Sequence, residues 1–452
     1  MAETQGSSTE RGEQPSETPP GPGGLPLLGN TLDLYRDPWA LYEELESYGD
    51  VVHYTAGGND FNVVLDPTLV EQVLLTDHDA YGKWALGDVG GGIGSEGLVL
   101  TEGEQWQRQR RVIQEAFTMD RIRAYGDAMG QYAAEAVEAW DDGEEIALNE
   151  AFSRLTLRIL AHSLFDLDID AEAGTVAEFT RTVNDRMDVD NLTAFVPLWV
   201  PLPRNRRFKR RVAAFESFVE ELIEQRRADA TERDDLLSLL LAHEGDGLTE
   251  TEIRDQMTTF LFAGHETTSL ALTYACMALA THPGPRERLD REHERVLDGG
   301  VPSLAQVPQL DATERAIKEA LRLYPPVYVL FREANRDVEL GGYRVPSGQK
   351  ITVPQFWIHR KEAFYDDPDE FDPSRWTDGF EDELHDYAYF PFGGGPRHCI
   401  GMRFAMQELK TVLPTVLQRV DFELLSDPDP DFSMGATLRP AEDVRVRVRK
   451  RG

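Results

Sequence analysis

The stretch from residue 391 to residue 405, PFGGGPRHCIGMRFA, constrains the fold of this chain more than any other. It joins a loop of glycine and proline to an apolar helix that we expect to run from about Gly401 to Val420, with Cys399 between them. A thiolate there would lie at a helix N-terminus, where free backbone N–H groups and the helix dipole stabilise negative charge. Arg397 adds a nearby cation. The three glycines at 393–395 would let the backbone approach a flat, bulky group.

Cys399 has two plausible roles. A buried structural cysteine after a turn is the common one. A metal ligand is the other, and zinc fits poorly because it takes four ligands and no set of Cys or His accompanies Cys399. A lone thiolate suits haem iron, because the protein can hold that iron with a single axial ligand. The stretch alone therefore leaves a structural cysteine and a haem ligand open.

The spacing of five residues favours the haem ligand. Phe392, Gly395, Arg397, Cys399 and Gly401 reproduce the pattern Phe-x-x-Gly-x-Arg-x-Cys-x-Gly. The chain thereby resembles the cytochrome P-450 superfamily. The resemblance implies haem b with the Cys399 thiolate on its iron, and it makes Phe392 and Arg397 cofactor-binding residues. It also implies a monooxygenase that inserts one atom of O₂ into a lipophilic small molecule.

A long apolar helix is predicted over Thr249–Thr281, with a capping box at its start and a proline after its end. Its middle reads AGHETT and resembles the family's Ala/Gly-Gly-x-Asp/Glu-Thr-Thr. That resemblance makes Glu266 and Thr267 the catalytic acid and alcohol of oxygen activation, and it places Ala263 at the substrate pocket. A threonine that bonds only to its own helix is the alternative. We interpret His265 as a packing residue.

Two further elements resemble haem-binding parts of the family. Trp106 and Arg110 lie four residues apart on a predicted helix and share one face, so together they could hold a carboxylate such as a haem propionate. An amphipathic helix with a solvated basic face is the alternative. Arg332, on a predicted strand beside the haem, is the second expected propionate partner. By the same resemblance Val329 and Leu330 face the substrate, and Thr437 reaches it from a hairpin over 432–438.

A structural ion-pair network is expected from Glu319 and Arg322. The Glu-x-x-Arg spacing also occurs at 224–227 and 292–295, so the spacing alone carries no weight. Its position before Leu-Tyr-Pro-Pro makes it resemble the family's Glu-x-x-Arg, completed there by a later arginine, here Arg375.

The fold class that the resemblance implies is mainly α with small β-sheets, the cytochrome P-450 fold. Residues 1–18 are polar and predicted to be disordered, and residues 19–452 are expected to form a single haem-thiolate domain. The glycine-rich loop over 86–100 would cover the distal face of the haem. No apolar run precedes the proline-rich segment at 19–30, so we expect a soluble protein without a membrane anchor.

Composition bears on the environment. The chain has 81 acidic against 46 basic residues, a net charge of −35, and seven of the basic residues are lysine. Such a surface repels itself and nucleic acid unless salt screens it. We expect a protein from the high-salt cytoplasm of a halophilic archaeon. We also expect that the protein does not bind nucleic acid. The presence of only two cysteines fits a reducing compartment. The expected oligomeric state is a monomer.

Substrate and electron donor are predicted more coarsely. The motifs resemble the bacterial fatty-acid-hydroxylase branch, yet no Lys or Arg occurs between residues 51 and 80, where that branch keeps a carboxylate anchor. Electrons are expected from a separate ferredoxin and ferredoxin reductase, with Arg108, Arg111, Arg403 and Lys410 as candidate docking cations. A haem-thiolate peroxygenase or isomerase, and a haem sensor without turnover, are the alternatives.

Overall fold

The structure is a computed structural model that describes residues 18–84, 92–189, 196–229, 231, 233–245 and 247–451. The predicted tail over 1–18 therefore lies outside the described residues except for Thr18, and so does the part of the glycine-rich loop from 86 to 91. The helices of the described chain are α1 (Thr31–Arg36), α2 (Pro38–Glu46), α3 (Pro67–Glu71), α4 (Gly103–Ile113), α5 (Met119–Glu138), α6 (Leu148–Phe165), α7 (Ala173–Met187), α8 (Pro203–Ala228), α9 (Leu236–Ala242), α10 (Glu250–Thr281), α11 (Pro283–Val296), α12 (Asp311–Leu323), α13 (Gln355–Ile358), α14 (Asp378–Glu383) and α15 (Met402–Leu417).

Short strands complete the architecture. They are β1 (Val51–Ala56), β2 (Asn59–Val64), β3 (Tyr81–Gly82), β4 (Glu145–Ala147), β5 (Leu330–Ala334), β6 (Val338–Leu340), β7 (Tyr343–Val345), β8 (Lys350–Val353), β9 (Val420–Leu424), β10 (Phe432–Met434), β11 (Leu438–Pro440) and β12 (Arg445–Lys450). The largest sheet has the order β1-β2-β8-β5-β3, with β2 and β8 parallel and the other pairs antiparallel. The described residues are thus mainly α with small sheets, as the sequence predicts. Across the described ranges, no helix is both long enough and apolar enough to cross a membrane.

Helix α10 runs through the middle of the helical core. Its capping box forms as predicted, because the Thr249 hydroxyl accepts from the Glu252 N–H (3.2 Å) and the Glu252 carboxylate accepts from the Thr249 N–H (2.7 Å). The helix packs against α6, α8, α12 and α15. A Cβ at Gly264 would lie 2.8 Å from Leu160 Cδ1. Because Gly264 has no side chain, α6 can pack closely against α10. The same glycine lines the cavity described below.

The cysteine loop is held by the N-terminal part of the chain. Gly395 has a φ of +64°, and a Cβ on it would lie 1.8 Å from the Leu74 carbonyl oxygen. A Cβ on Gly394 would lie 2.4 Å from the Tyr387 ring. Gly394 and Gly395 do allow a close approach, as expected. What approaches them is the Tyr387 ring and the Leu74 carbonyl of the protein itself, and not a flat, bulky group.

Helix α15 begins as predicted, with Gly401 as its N-cap, and ends earlier than predicted. The sequence interpretation extended it to Val420, whereas the helix stops at Leu417 and Val420 begins β9. Pro414 is accommodated inside the helix. A proline removes one backbone N–H and crowds the preceding turn, which weakens the final turn of the helix.

Three buried histidines make the fold sensitive to acid. His265, His293 and His359 are at most 2% exposed, and burial lowers the pKa of His265 and His293 from 6.5 to about 4 and that of His359 well below its usual value. The unfolded chain binds these protons near pH 6.5 and the folded chain does not. Stability is therefore fully present above that pH and lost as the pH falls towards 4. Each histidine should cost up to about 1.4 kcal/mol per pH unit in that window.

Denaturant unfolding at pH 7 and pH 5 measures this effect. We expect His265→Gln to reduce the difference between the two free energies, and His78→Gln, whose side chain is 40% exposed, to serve as the control. Equal stability of the wild-type protein at both pH values would contradict the prediction.

Candidate haem site

A cavity lies between α10 and the loop that carries Cys399. One wall is α10, through Ala263, Gly264 and Thr267, and the facing wall is the stretch from 391 to 401. Apolar side chains of α4, α6, β5 and the segment before β5 close much of the remainder. The cavity is thus a slot with a helix on one side and a thiol on the other.

Cys399 occupies the position that the sequence predicts. Its side chain is exposed, and the space it faces is this cavity, deep in the protein. The Cys399 N–H donates to the Phe392 carbonyl (2.9 Å), which fixes the turn before α15. Burial raises the pKa of the thiol, while the N–H groups of Gly401 and Met402 and the charge of Arg110 lower it in part. A bound metal cation would deprotonate such a thiol outright.

One end of the cavity is strongly basic. Arg110, Arg332 and Arg397 line it together with Trp106, and Lys83 joins them. The Arg397 guanidinium carbon lies 4.5 Å from the centre of the Trp106 ring, and that of Arg110 lies 5.7 Å from it. Within the described chain none of these four cations forms an ion pair with a carboxylate.

The charges at this end repel one another. Burial, then the charge of Arg397, lowers the pKa of Arg332 to about 10. Burial, then the charges of Arg332 and Arg397, holds the pKa of Lys83 well below its ordinary value. Converging buried cations are unfavourable unless an anion joins them. The nearby Glu102 carboxylate raises the pKa of Lys83, Arg332 and Arg397 in part, and two further carboxylates in the cavity would complete the compensation.

Lys83 is the cavity residue that the sequence interpretation missed. It precedes the glycine-rich loop over 86–100 and belongs to no recognised motif. Its backbone N–H donates to the Glu102 carboxylate, and it directly follows β3, which pairs with β5. Only this pairing places Lys83 beside Arg332, so no local signal could have identified it.

The structure places the two predicted substrate contacts in different surroundings. Leu330 and Arg332 lie two apart in β5 and both line the cavity. Val329, the residue before β5, belongs to a neighbouring core cluster with Tyr328 and Trp357. Val327, two residues earlier, lines the cavity.

Thr267 and Glu266 point to different surroundings. Thr267 lines the cavity, and its hydroxyl donates to the Ala263 carbonyl (2.9 Å). Glu266 is 6% exposed and is absent from the described lining. Its Oε1 accepts from Asn184 Nδ2 (3.3 Å) and from the Thr437 hydroxyl (3.3 Å). Successive residues of a helix point about 100° apart, which explains the divergence.

The predicted hairpin forms from β10 and β11. Thr437 at its tip contacts Glu266 and Asn184 and is not among the described residues that line the cavity. Its N–H donates to Asn184 Oδ1 (3.1 Å), and its single hydroxyl hydrogen is within reach of both Asn184 Oδ1 (3.0 Å) and Glu266 Oε1 (3.3 Å). Burial raises the pKa of Glu266, and Arg439, Thr437 and Asn184 lower it in part. Asn184 and Arg439 were not predicted, because they come from α7 and β11, far from α10 in the sequence.

The predicted network at Glu319 is fully assembled. Glu319 and Arg322 are both completely buried. Glu319 Oε1 accepts from Arg322 Nη2 (2.9 Å), Arg375 Nε (2.9 Å) and the Asp372 N–H (3.0 Å). Its Oε2 accepts from Arg322 Nε (2.9 Å) and Trp376 Nε1 (2.9 Å). The carboxylate thus ties α12 to the segment that precedes the cysteine loop.

Two of the four candidate docking cations are engaged within the protein. Arg108 pairs with the buried Glu252, and Lys410 pairs with Glu314. Arg111 and Arg403 are exposed and form no ion pair within the described ranges. They are the cations of the original set that remain available to a partner.

The residues present fit haem. A planar macrocycle would lie in the slot with its iron at the Cys399 thiolate and its propionates at the basic end, where Trp106, Arg110, Arg332, Arg397 and Lys83 supply the compensating charge. Phe392 lines the cavity on the thiol side and Ala263 on the helix side. The cations without an ion-pair partner favour haem, which carries two propionates, over an uncharged apolar ligand.

Comparison with known proteins supports the same conclusion. The family model of cytochrome P-450 matches residues 19–447. Cyclooctat-9-en-7-ol 5-monooxygenase from Streptomyces melanosporofaciens is 33% identical over 424 residues, covering 92% of each chain. Pentalenene oxygenase from Streptomyces avermitilis is 33% identical over 432 residues, covering 95% of this chain and 96% of its own.

The fold and the site thus define a haem-thiolate monooxygenase. The chain belongs to the cytochrome P-450 family, whose members carry haem with a cysteine thiolate on the iron. Neither comparison distinguishes the fatty-acid-hydroxylase branch or a halophilic archaeal source.

Proposed function

We propose that this monooxygenase hydroxylates a cyclic, terpenoid-like hydrocarbon with electrons from a separate ferredoxin. The apolar lining of the cavity supports a lipophilic substrate. The two relatives named above are named for oxidation of pentalenene and cyclooctat-9-en-7-ol, which supports a terpenoid over a fatty acid. Incubation with ferredoxin, its reductase, O₂ and a panel of terpene hydrocarbons and fatty acids tests the proposal. Hydroxylation of fatty acids alone would contradict it.

The chain's own residues then have the following roles. Haem supplies the activation of O₂ when bound. Cys399 would hold the iron through its thiolate, and the cluster of Trp106, Arg110, Arg332 and Arg397, joined by Lys83, would bind the propionates. Ala263, on the α10 wall, and Leu330 exclude water from the cavity and contact the substrate.

Glu266 and Thr267 have a proton-delivery role in this proposal. Thr267 presents a hydroxyl to the cavity, and Glu266 stores a proton at Oε1 or Oε2 in the cluster with Asn184 and Thr437. The raised pKa of Glu266 keeps a proton available at higher pH than an ordinary carboxyl would. A peroxygenase, an isomerase or a sensor would not need this pair, so its presence favours the monooxygenase.

Replacement of Thr267 by alanine is expected to lower hydroxylation about 100-fold, a usual contribution of proton transfer. Electron consumption should fall less than product formation, because O₂ would be reduced without oxidation of the substrate. The ratio of product to electrons consumed measures this. Thr273→Ala is the matched control, since Thr273 is fully buried and makes the same kind of bond, to Ser269 O (2.8 Å). Equal ratios in the two variants would exclude the proposed role of Thr267.

The electron donor is proposed to dock on the side of the cysteine, where Arg111 and Arg403 remain exposed. An acidic ferredoxin would complement these cations, although the protein as a whole is negative. Salt should assist the encounter by screening the long-range repulsion between two acidic proteins.

The cytoplasm of a high-salt organism is the proposed environment. At a net charge of −35, repulsion between the protein's own charges destabilises the compact state at low ionic strength. Salt weakens this repulsion, because the Debye length falls from about 10 Å at 0.1 M to about 3 Å at 1 M. We therefore expect the melting temperature to rise as salt increases from about 0.1 M to about 1 M. Thermal unfolding in sodium chloride measures it, and equal melting temperatures at both concentrations would contradict the high-salt proposal.

A further inference from the structure

A recess between α11 and α12 is lined by four arginines. Its volume is about 490 Å³, within the range of small-molecule sites in proteins. Arg288, Arg291 and Arg295 line it from α11, and Arg315 lines it from α12. We call the space bounded by these four residues the arginine recess. Among the described residues, none that lines it also lines the haem cavity.

The three arginines of α11 repel one another. Arg291 and Arg295 lie four residues apart on one helix face, and Arg288 lies three residues before Arg291. Acidic partners are near, because Glu287 lies four residues before Arg291 and Glu294 three residues after it. Within the described chain, however, none of the four arginines of the recess forms an ion pair or a side-chain hydrogen bond. An anion in the recess would relieve the repulsion.

Arg286 shows that α11 can neutralise an arginine internally. Its Nη1 pairs with Asp290 (2.6 Å) and its Nη2 with Asp421 (2.9 Å), at the start of β9. Arg286 is not among the described residues that line the recess. The helix therefore has a neutralised part near β9 and a part at the recess whose positive charge is left without a partner in the described chain.

The two carboxylates at the recess do not cancel this charge. Glu292 is 5% exposed; its Oε1 accepts from the Ala312 N–H (2.7 Å), and its Oε2 accepts from the Thr313 N–H (2.9 Å) and hydroxyl (2.8 Å). It thus caps the start of α12, and Arg295, three residues later, does not pair with it. Asp311 is the other acidic residue among the described lining. Four guanidinium groups against two carboxylates leave an excess of positive charge.

The recess is formed before any ligand arrives. The bonds of Glu292 tie α11 to α12, and His293 Nε2 lies 2.9 Å from the Thr313 hydroxyl oxygen as a second tie. Leu289, which lines the recess, is 1% exposed and belongs to the main hydrophobic core. Buried contacts therefore fix the distance between the two helices. A ligand that enters a preorganised site loses less free energy in ordering it.

The chemistry of the lining favours a diphosphate. Guanidinium groups bind phosphate oxygens in a forked, charge-assisted geometry. The three arginines of α11 extend over about 10 Å of the helix, which is more than one phosphate group needs. No aromatic ring occurs among the described lining residues, so none is present for a nucleobase to stack on. The apolar part of the lining consists of Pro285, Leu289, Ala312 and Pro373.

We propose that the arginine recess binds an organic diphosphate, with its two phosphoryl groups at the four guanidinium groups. The rest of the ligand would lie against the apolar part of the lining. The concave shape of the recess favours such a small anion over the surface of an acidic protein. This site goes beyond the proposed reaction and does not depend on it.

Occupation of the recess would also stabilise the network at Glu319. Arg315 lies four residues before Glu319 on α12. Ser374 lines the recess and directly precedes Arg375, whose Nε donates to Glu319 Oε1 (2.9 Å). A ligand in the recess would therefore connect α11, α12 and the segment that this network holds before the cysteine loop.

Titration calorimetry of the haem-loaded protein with sodium pyrophosphate tests the site. Inorganic phosphate is the comparison, in about 0.15 M potassium chloride, where the Debye length is about 8 Å. We expect pyrophosphate to bind at least about tenfold more tightly, as one further charge-assisted bond would give. At a pyrophosphate concentration of about 100 times Kd, the melting temperature should rise by about 3 °C.

Two double variants that lose the same charge separate the recess from a general charge effect. Arg291→Gln with Arg315→Gln should weaken pyrophosphate binding at least about 100-fold, because each guanidinium contributes about a tenfold factor. Arg206→Gln with Arg210→Gln is the control. Both control arginines are exposed, unpaired within the described chain and outside the recess, so we expect less than about a threefold change. The spectrum of the reduced carbonyl complex checks the folding of each variant.

Geranyl diphosphate and ADP identify the organic part of the ligand. Tighter binding of geranyl diphosphate than of pyrophosphate would support an apolar remainder, and tighter binding of ADP a nucleoside. Weaker binding of both would overturn the proposal of an organic diphosphate.

Three further results would overturn the site itself. They are a Kd for pyrophosphate above about 1 mM, pyrophosphate binding no tighter than that of phosphate, and equal weakening by the two double variants. Slower reduction by ferredoxin in the variant of Arg291 and Arg315, with unchanged pyrophosphate binding, would show a protein-docking surface in place of a small-anion site.

Discussion

Replacement of Cys399 by serine is expected to abolish monooxygenase activity and the red-shifted absorption band of the reduced carbonyl complex. A serine hydroxyl is far harder to ionise than a thiol, so the variant would lack the anionic axial ligand even if haem remained in the slot. The difference spectrum of the reduced protein with and without carbon monoxide measures the band. This is the largest functional effect that we expect from a single substitution.

Cys276→Ala is the control for this experiment. Cys276 is the other cysteine of the chain, 1% exposed within α10, and burial raises the pKa of its thiol to about 12. Its removal should leave the band in place and cost only packing energy. Persistence of the red-shifted band in the Cys399→Ser variant would refute the assignment of the axial ligand.

Replacement of Glu319 by alanine is expected to produce the largest loss of stability. Glu319 accepts all five hydrogen bonds described above, and its removal leaves the fully buried Arg322 with no opposing charge. Breaking a buried ion pair in this way costs about 3–5 kcal/mol, a large fraction of the roughly 5–15 kcal/mol by which native proteins are stable. The free energy of unfolding and the yield of haem-loaded protein measure the loss.

Glu224→Ala is the matched control, because Glu224 and Arg227 have the same spacing on a helix. Their side chains are 67% and 27% exposed, so this pair should contribute about 0–1 kcal/mol. Comparable destabilisation by the two substitutions would show that the Glu319 network is not energetically special. The comparison also shows why the Glu-x-x-Arg spacing has no meaning without its structural context.

The sequence was sufficient where function depends on local spacing. The capping box at Thr249 and Glu252, the position of Cys399 before α15 and the shared face of Trp106 and Arg110 all depend on residues at most four apart. Backbone geometry alone relates such residues, so their arrangement follows once the helix is identified.

The sequence was insufficient where the site depends on distant pairs. Lys83 reaches the basic end through the pairing of β3 with β5, and Asn184 and Arg439 reach Glu266 from α7 and β11. The hairpin itself is predicted correctly, but the contacts of Thr437 at its tip with Asn184 and Glu266 are not. Tertiary packing decides those contacts, and no periodicity in a single sequence records them.

The close contact of Gly395 with Leu74 has a consequence for biosynthesis. These residues are more than 300 positions apart, yet the carbonyl of one leaves no room for a Cβ on the other. The geometry of the iron ligand is therefore completed only after a segment made early on the ribosome meets one made late. At about 5–20 residues per second, the early segment waits many seconds for that partner. Insertion of haem should accordingly follow translation of Cys399, and nascent chains arrested before it should not acquire the thiolate spectrum.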